Sequence, residues 1–502
     1  MDYIEKPPLI YWLGALSYKA LGVSEAAGRL PLAILAILGM AGIIWIASWL
    51  PWPKNSSGER RSHWTPAAAG IILGTCAEYS LLSHLQTPDM AVSVCLLWAC
   101  AFILRSLALP NAGGWTGPAA GVAMGLAFLS KGLIGVLFPC LWSALIWIFV
   151  PEWRGRFRFP RILGAAAACL LVALPWVVAM SQRHPDFPVY FFLHHHFARY
   201  LTSHYDRPGG WYYYIGVNAA GLLPWTPLAW AAMLGCLTRW RKLESSLRAL
   251  LLWPLFILLF FTTSHSKLPT YILPIFPHQC LLTAYFLNDL SRQPKSDRWV
   301  RAAGLGLAAL LTACIPIAFW LRRNAMLPEM IAPEILWIGG FTLAVIAAAL
   351  AFTAWTRQED GGATLLRRVA FSAMAMTALL LIGARRMEPY LSARAAAQEI
   401  QARWRPGDRI VSYDFYLHAI PFYLRRPVDR LVNWRGEFRL HENDPRYQDR
   451  FGDLGALATL PALPGRSFVL MPRRVAREFT TLFKPGRIRE MRTFGNTVLA
   501  VL

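Results

Sequence analysis

Residues 29–50, RLPLAILAILGMAGIIWIASWL, carry one charge, Arg29, at their edge and none inside. As a helix this run is about 33 Å long, enough to cross the hydrocarbon core of a bilayer. The same composition recurs along the 502-residue chain, which is 56% hydrophobic. About twelve spans are expected: 29–50, 67–85, 90–107, 117–130, 133–150, 162–181, 211–235, 249–263, 271–290, 303–321, 335–355 and 369–386. The fold class read from this is an α-helical polytopic membrane protein with a small C-terminal α/β domain.

A formal charge of +22 raises the question of nucleic acid. The basic residues answer it by falling in alternate short loops: Lys54, Arg60 and Arg61; Arg154, Arg156, Arg158 and Arg161; Arg239, Arg241 and Lys242; Arg292, Lys295 and Arg298; Arg357, Arg367 and Arg368. This is the positive-inside pattern of an inner membrane, so that side is cytoplasmic and no nucleic-acid partner is implied. The opposite, outer side receives the N-terminus, the loop at Asp89, residues 182–210, the loop 264–271 and everything after 386. All eight cysteines lie in or at the ends of spans without CxxC spacing, which reads as packing rather than a disulfide framework or a zinc site.

Three regions follow. Residues 1–28 form an outer segment in which Pro7 and Pro8 precede a short interfacial helix with an aromatic start (Tyr11, Trp12). Residues 29–386 form the membrane domain. Residues 387–502 change to mixed charge, with a helical stretch at Ala393–Trp404 and strand-like runs at Arg409–Tyr413, Ser467–Met471 and Thr497–Val501.

The outer side collects the polar candidates. Glu5 and Lys6 open the chain beside the double proline. Asp89 follows Thr87-Pro88 at a helix start, where a carboxylate serves either as a cap or as part of a site. Lys131 is a lone ammonium between two apolar runs, next to Gly132, and an intramembrane cation is a functional candidate. His194, His195 and His196 precede Arg199. A histidine or two with a carboxylate could hold a divalent metal such as zinc, or the rings could simply sit at the interface. In the run Ser264–Pro274, Lys267 and Tyr271 supply a charge and a phenol suited to a phosphate.

The motifs EKPPLIYW, TPDM, GLAFLSKG, HHHFARY, PGGWYYY followed by GLLPWT, and SKLPTYILPIFP resemble the bacterial aminoarabinose transferases that modify lipid A, within the wider group of dolichyl-phosphate-mannose protein mannosyltransferases. The resemblance covers positions 5 to about 290. It implies a membrane bundle of the GT-C glycosyltransferase type and a periplasmic tail domain in the inner membrane. The implied reaction transfers a sugar from undecaprenyl phosphate to an acceptor at the periplasmic face. By the same resemblance Lys6, Lys131, Arg199 and Tyr271 hold the carrier phosphate, with Lys267 beside them. Glu5 and a histidine of 194–196, best His196, bind a divalent metal, and Asp89 is a supporting acid.

The family's principal catalytic aspartate lies in an outer loop upstream of the KPP motif, and this sequence has no counterpart. The expectation is a preceding span and loop lost through a misassigned start codon, the 502-residue form then binding donor without turning it over. Aminoarabinose onto lipid A is the most specific activity; a mannosyl or hexosyl transfer to protein or glycan, a non-catalytic lipid-phosphate binder and a transporter are the alternatives. A monomer is expected.

Overall fold

The computed structural model describes residues 6–51, 64–192, 209–290, parts of 305–388, and 392–502 apart from positions 435–437, 439–443, 463 and 485. They fall into two compact units, a helical one covering 5–317 and 340–378 and a second built around 379–502.

The helical unit begins with α1 (Leu9–Leu21), which starts directly after Pro8, and whose Trp12 amide donates to the Pro8 carbonyl at 2.9 Å. It buries Ile10, Gly14 and Ser17, and Ser17 Oγ donates to the Ala27 carbonyl of α2 (Glu25–Trp49) at 2.6 Å. Tyr11, Trp12, Leu16 and Leu21 remain exposed, the pattern expected of a helix whose outer face meets lipid rather than water. Then come α3 (Thr65–Gly74), α4 (Ala77–Leu82), α5 (Pro88–Ala108), α6 (Thr116–Lys131), α7 (Ile134–Phe149), α8 (Phe159–Arg183), α9 (Tyr213–Gly221), α10 (Thr226–Thr238), α11 (Ser245–Thr263) and α12 (Phe276–Leu290).

Among the described residues, α2, α5, α8 and α11 are long and apolar enough to cross a membrane, and α9 with α10 makes a fifth if that bent pair is one span. The expected count of about twelve is therefore not reached within the described residues, and much of 303–321, 335–355 and 369–386 lies outside them. Two expected spans are broken. Residues 67–85 divide into α3 and α4, and residues 211–235 bend by 119° between α9 and α10, where Pro224 has no amide to continue the helical ladder. α8 leaves Leu163, Leu170, Leu171, Leu174 and Val178 exposed, a cost in water that vanishes in hydrocarbon.

The packing of α6 on α8 depends on glycines at four-residue spacing. A Cβ added at Gly117 would stand 2.3 Å from the Arg161 carbonyl oxygen, one at Gly121 2.1 Å from that of Ala165, and one at Gly125 2.7 Å from Val172 Cβ. Small residues at this spacing let two membrane helices bring their backbones together. Gly121→Val is therefore expected to force the helices apart and destabilise the unit by about 1–3 kcal/mol, read as a lower midpoint of thermal unfolding in detergent. Gly114→Val, where a Cβ meets nothing within 4 Å, is the control.

At one end of α5 the guanidinium of Arg156 donates to the Leu107 and Ala108 carbonyls at 2.8 and 3.1 Å, and that of Arg161 to the Ser106 carbonyl at 3.1 Å. These cations satisfy carbonyls that a helix end leaves open. The basic loop 151–161 thus belongs to the C-terminal end of α5, and Asp89 to the other end.

In the second unit α13 (Arg394–Arg403), α14 (Ala419–Leu424), α15 (Leu454–Thr459) and α16 (Ala476–Thr481) accompany a six-stranded sheet. Its strands are β1 (Arg409–Tyr413), β2 (Arg430–Val432), β3 (Phe451–Gly452), β4 (Ser467–Pro472), β5 (Glu490–Phe494) and β6 (Thr497–Val501), in the order β3-β2-β1-β4-β6-β5. The first four are parallel, β6 runs antiparallel to β4, and β5 runs antiparallel to β6. β1, β4 and β6 are almost wholly buried, as central strands covered on both faces must be.

Asp408, at the entry to β1, accepts the Arg405 and Arg466 amides at 2.8 and 2.9 Å and the Arg466 guanidinium at 2.8 Å. Burial works to raise the carboxyl's pKa, and these hydrogen bonds outweigh it, so the net shift is downward. A pKa lowered in the folded state contributes stability above about pH 4, the unfolded value, that is lost as pH falls through the folded value. Asp408→Asn is expected to cost about 1–3 kcal/mol near neutral pH, a difference that shrinks below pH 4 when unfolding of this unit is followed by hydrogen exchange.

Candidate functional site

Asp89 is the second residue of α5, after Pro88 at the first helical position. The capping reading of this carboxylate gives way to another partner. The Lys131 ammonium, at the last residue of α6, makes an ion pair with Asp89 Oδ1, and the two side chains are 22% and 8% exposed. Each helix end favours the charge it carries, an acid at the N-terminus of α5 and a cation at the C-terminus of α6. Gly132 ends α6 at φ +78°, a conformation open to glycine and costly for other residues. The helix thus stops with the lysine at its tip.

Lys131 Nζ also lies 4.4 Å from the centroid of the Tyr271 ring. An ammonium over a π face out of bulk water gains about 1–2 kcal/mol. Tyr271 is placed by the 3-10 turn Pro269–Ile275 and packs on Phe261 of α11 at 5.2 Å between centroids. Three residues from three separate sequence motifs therefore meet at one point.

Lys267 does something different. Its ammonium donates to the Ser264 and Thr262 carbonyls at 2.5 and 3.0 Å, at the C-terminal end of α11, and it is 7% exposed. Burial pushes its pKa below the usual lysine range. The sequence assigns this cation to a phosphate, and among the described residues two of its three donors close the end of α11. Lys6 is half-buried just before α1. A Cβ on Gly14 of α1 would lie 3.7 Å from Gln86 Nε2, so the first helix runs past the loop that leads into Asp89.

Glu5, His194, His195, His196 and Arg199 lie outside the described residues. Among the described residues no group of three or more His, Cys, Asp or Glu could hold a metal ion, so the expected divalent metal gains no support.

One acid near this cluster was not singled out by the sequence motifs. Glu78 of α4 is 8% exposed, stands within electrostatic reach of Asp89, and has an Oε1 without a hydrogen-bond partner among the described residues. Its signal was present as the one charge inside the apolar run 67–85.

The comparisons with known proteins follow this geometry. Residues 5–179, which include Asp89 and Lys131, match the family model described as dolichyl-phosphate-mannose-protein mannosyltransferase. In sequence and in fold the chain is aminoarabinose-transferase-like. It is 28% identical over 366 residues to the undecaprenyl phosphate-alpha-4-amino-4-deoxy-L-arabinose arabinosyl transferase of Enterobacter sp. (strain 638), covering 70% of this chain and 61% of that one. It is 27% identical over 467 residues to transferase 1 of the same name from Pseudomonas fluorescens (strain Pf0-1), covering 89% and 76%. The chain spans 56–61% of the length of three curated relatives that it matches, about three fifths. Its fold is that of ArnT from Cupriavidus metallidurans, solved bound to undecaprenyl phosphate, with a TM-score of 0.81 at 24% identity, covering 100% of this chain and 88% of that one.

Proposed function

We propose that this protein is an inner-membrane glycosyltransferase that moves a sugar from undecaprenyl phosphate to an envelope acceptor, with aminoarabinose as the sugar and lipid A as the acceptor. The observation that carries the reading is the meeting of Asp89, Lys131 and Tyr271 at the end of α5 opposite the basic loop. By the positive-inside rule that end is periplasmic, where lipid A would be met.

In the reaction the bond between the sugar's anomeric carbon and the carrier phosphate oxygen breaks, and a bond from that carbon to an acceptor oxygen forms. Negative charge grows on the departing phosphate. A fixed ammonium stabilises that charge best where water is scarce. Asp89 and the Tyr271 face leave Lys131 with N–H capacity to spare, since an ammonium has three donors. Arg199, Lys6 and Lys267 would add to the phosphate site. Asp89 fixes the direction of Lys131. Relatives named for this chemistry and an ArnT structure holding undecaprenyl phosphate support the donor assignment.

The test is direct. The purified gene product in nanodiscs, given undecaprenyl-phosphate aminoarabinose and lipid A, should yield lipid A heavier by one aminoarabinose residue in a mass spectrum. Transfer of mannose to a protein instead would replace this reading with that of the other branch of the family.

A further inference from the structure

The described groups around Glu78 close into a ring. On one side its carboxylate is in electrostatic reach of Asp89, which is paired with Lys131. Lys131 faces Tyr271, Tyr271 packs on Phe261, and Phe261 on Tyr214 at 6.1 Å between centroids. Tyr214 meets Tyr213 edge-on at 5.0 Å, and α9, which carries both, packs against α4, which carries Glu78. The ring so described holds two carboxyl groups and one ammonium, which is paired with Asp89.

Glu78 is left with an orphan oxygen. Among the described residues its Oε1 has no hydrogen-bond partner, while Oε2 fills the space that a Cβ on Gly221 would enter at 2.4 Å. Leaving a buried acceptor without a donor is costly, and such atoms call for an explanation. A buried carboxylate without a donor is a receptor for an ammonium, which gains from the charge and from the hydrogen bond together.

This step rests on the transferase reading above. We propose that Glu78 receives the protonated amine of the donor sugar, so that the site selects an amino sugar over a neutral sugar of the same size while Lys131 attends to the phosphate. Selectivity of this kind is strong because a sugar lacking the amine leaves the buried carboxylate unanswered.

Binding decides it, using the full chain in nanodiscs. Undecaprenyl-phosphate aminoarabinose and undecaprenyl-phosphate arabinose compete separately against labelled undecaprenyl phosphate. The unaltered protein should prefer the amino donor by tenfold or more. Glu78→Gln should bring the ratio of the two affinities to about one, and Glu78→Asp, which keeps the charge at shorter reach, should retain a smaller preference. A purely structural role for Glu78 would weaken both donors together and leave the ratio unchanged, which overturns the proposal. So does an unaltered protein with no preference. If Glu78→Gln fails to fold, Glu78→Asp decides alone: a preference smaller than that of the unaltered protein supports the proposal, and equal weakening of both donors overturns it. A protein that prefers the amino donor but transfers no sugar would sink the transferase reading and leave this one standing.

Discussion

Replacing Lys131 with Met is expected to lower sugar transfer by the full-length gene product by about 10²–10³, the usual cost of removing one preorganised donor from developing negative charge. Lys131 stands at the tip of α6, where its ammonium is held by Asp89 and backed by the Tyr271 ring. Methionine preserves most of the side-chain volume, so the loss reports charge rather than shape. Affinity for undecaprenyl-phosphate aminoarabinose should fall too, but by less than the rate, because charge on the phosphate oxygen is greater in the transition state than in the bound donor. The variant will also be less stable, since Asp89 is left buried and unpaired, a situation that costs about 3–5 kcal/mol. Assaying at a temperature where the variant remains folded by circular dichroism separates the two effects. A rate within a few-fold of the unaltered protein would remove Lys131 from the chemistry and leave it a structural ion pair.

Lys131, Asp89 and Tyr271 were legible in the sequence because each breaks a local rule. A lysine between apolar runs, an acid after Thr-Pro and a tyrosine between prolines are expensive or particular choices in a membrane chain. Their meeting was not legible from spacing, since positions 89, 131 and 271 are brought together by tertiary packing alone, and the resemblance supplied it. Lys267 was legible in the same way by residue type and loop setting, and what spacing does not show is the pair of carbonyls at the end of α11 that its ammonium meets. Glu78 was passed over because the window that finds a span averages one acid into its apolar neighbours.

The secondary structure divides in a similar way. The helix α13 and the strands β1, β4 and β6 coincide closely with their expected ranges because buried central strands are continuous apolar runs. β5, with the sequence EMRTF and an exposed face, lies at the sheet edge and has no such signature. β2 and β3 are three and two residues long, too short for periodicity to register. The glycines at 117, 121 and 125 were visible as letters, and their spacing could have identified the α6–α8 contact in advance.

Asp89→Asn should lower transfer about 10²-fold, and the informative quantity is what happens when it is combined with Lys131→Met. If Asp89 acts only by holding Lys131, its loss matters through the lysine alone. The double variant should then be no slower than Lys131→Met by itself, because groups that act as a unit are strongly non-additive. Stability should follow the same logic with the opposite sign. Removing both charges replaces a buried ion pair by neutral groups and should recover part of the stability that Lys131→Met loses. A different outcome has a specific meaning. If the double variant is slower than Lys131→Met by a further 10² or more, and Asp89→Asn removes the acidic limb of the pH–rate profile, then Asp89 takes the acceptor's proton itself. The supporting role would then be wrong, and the carboxylate next to Lys131 would be the base of the reaction.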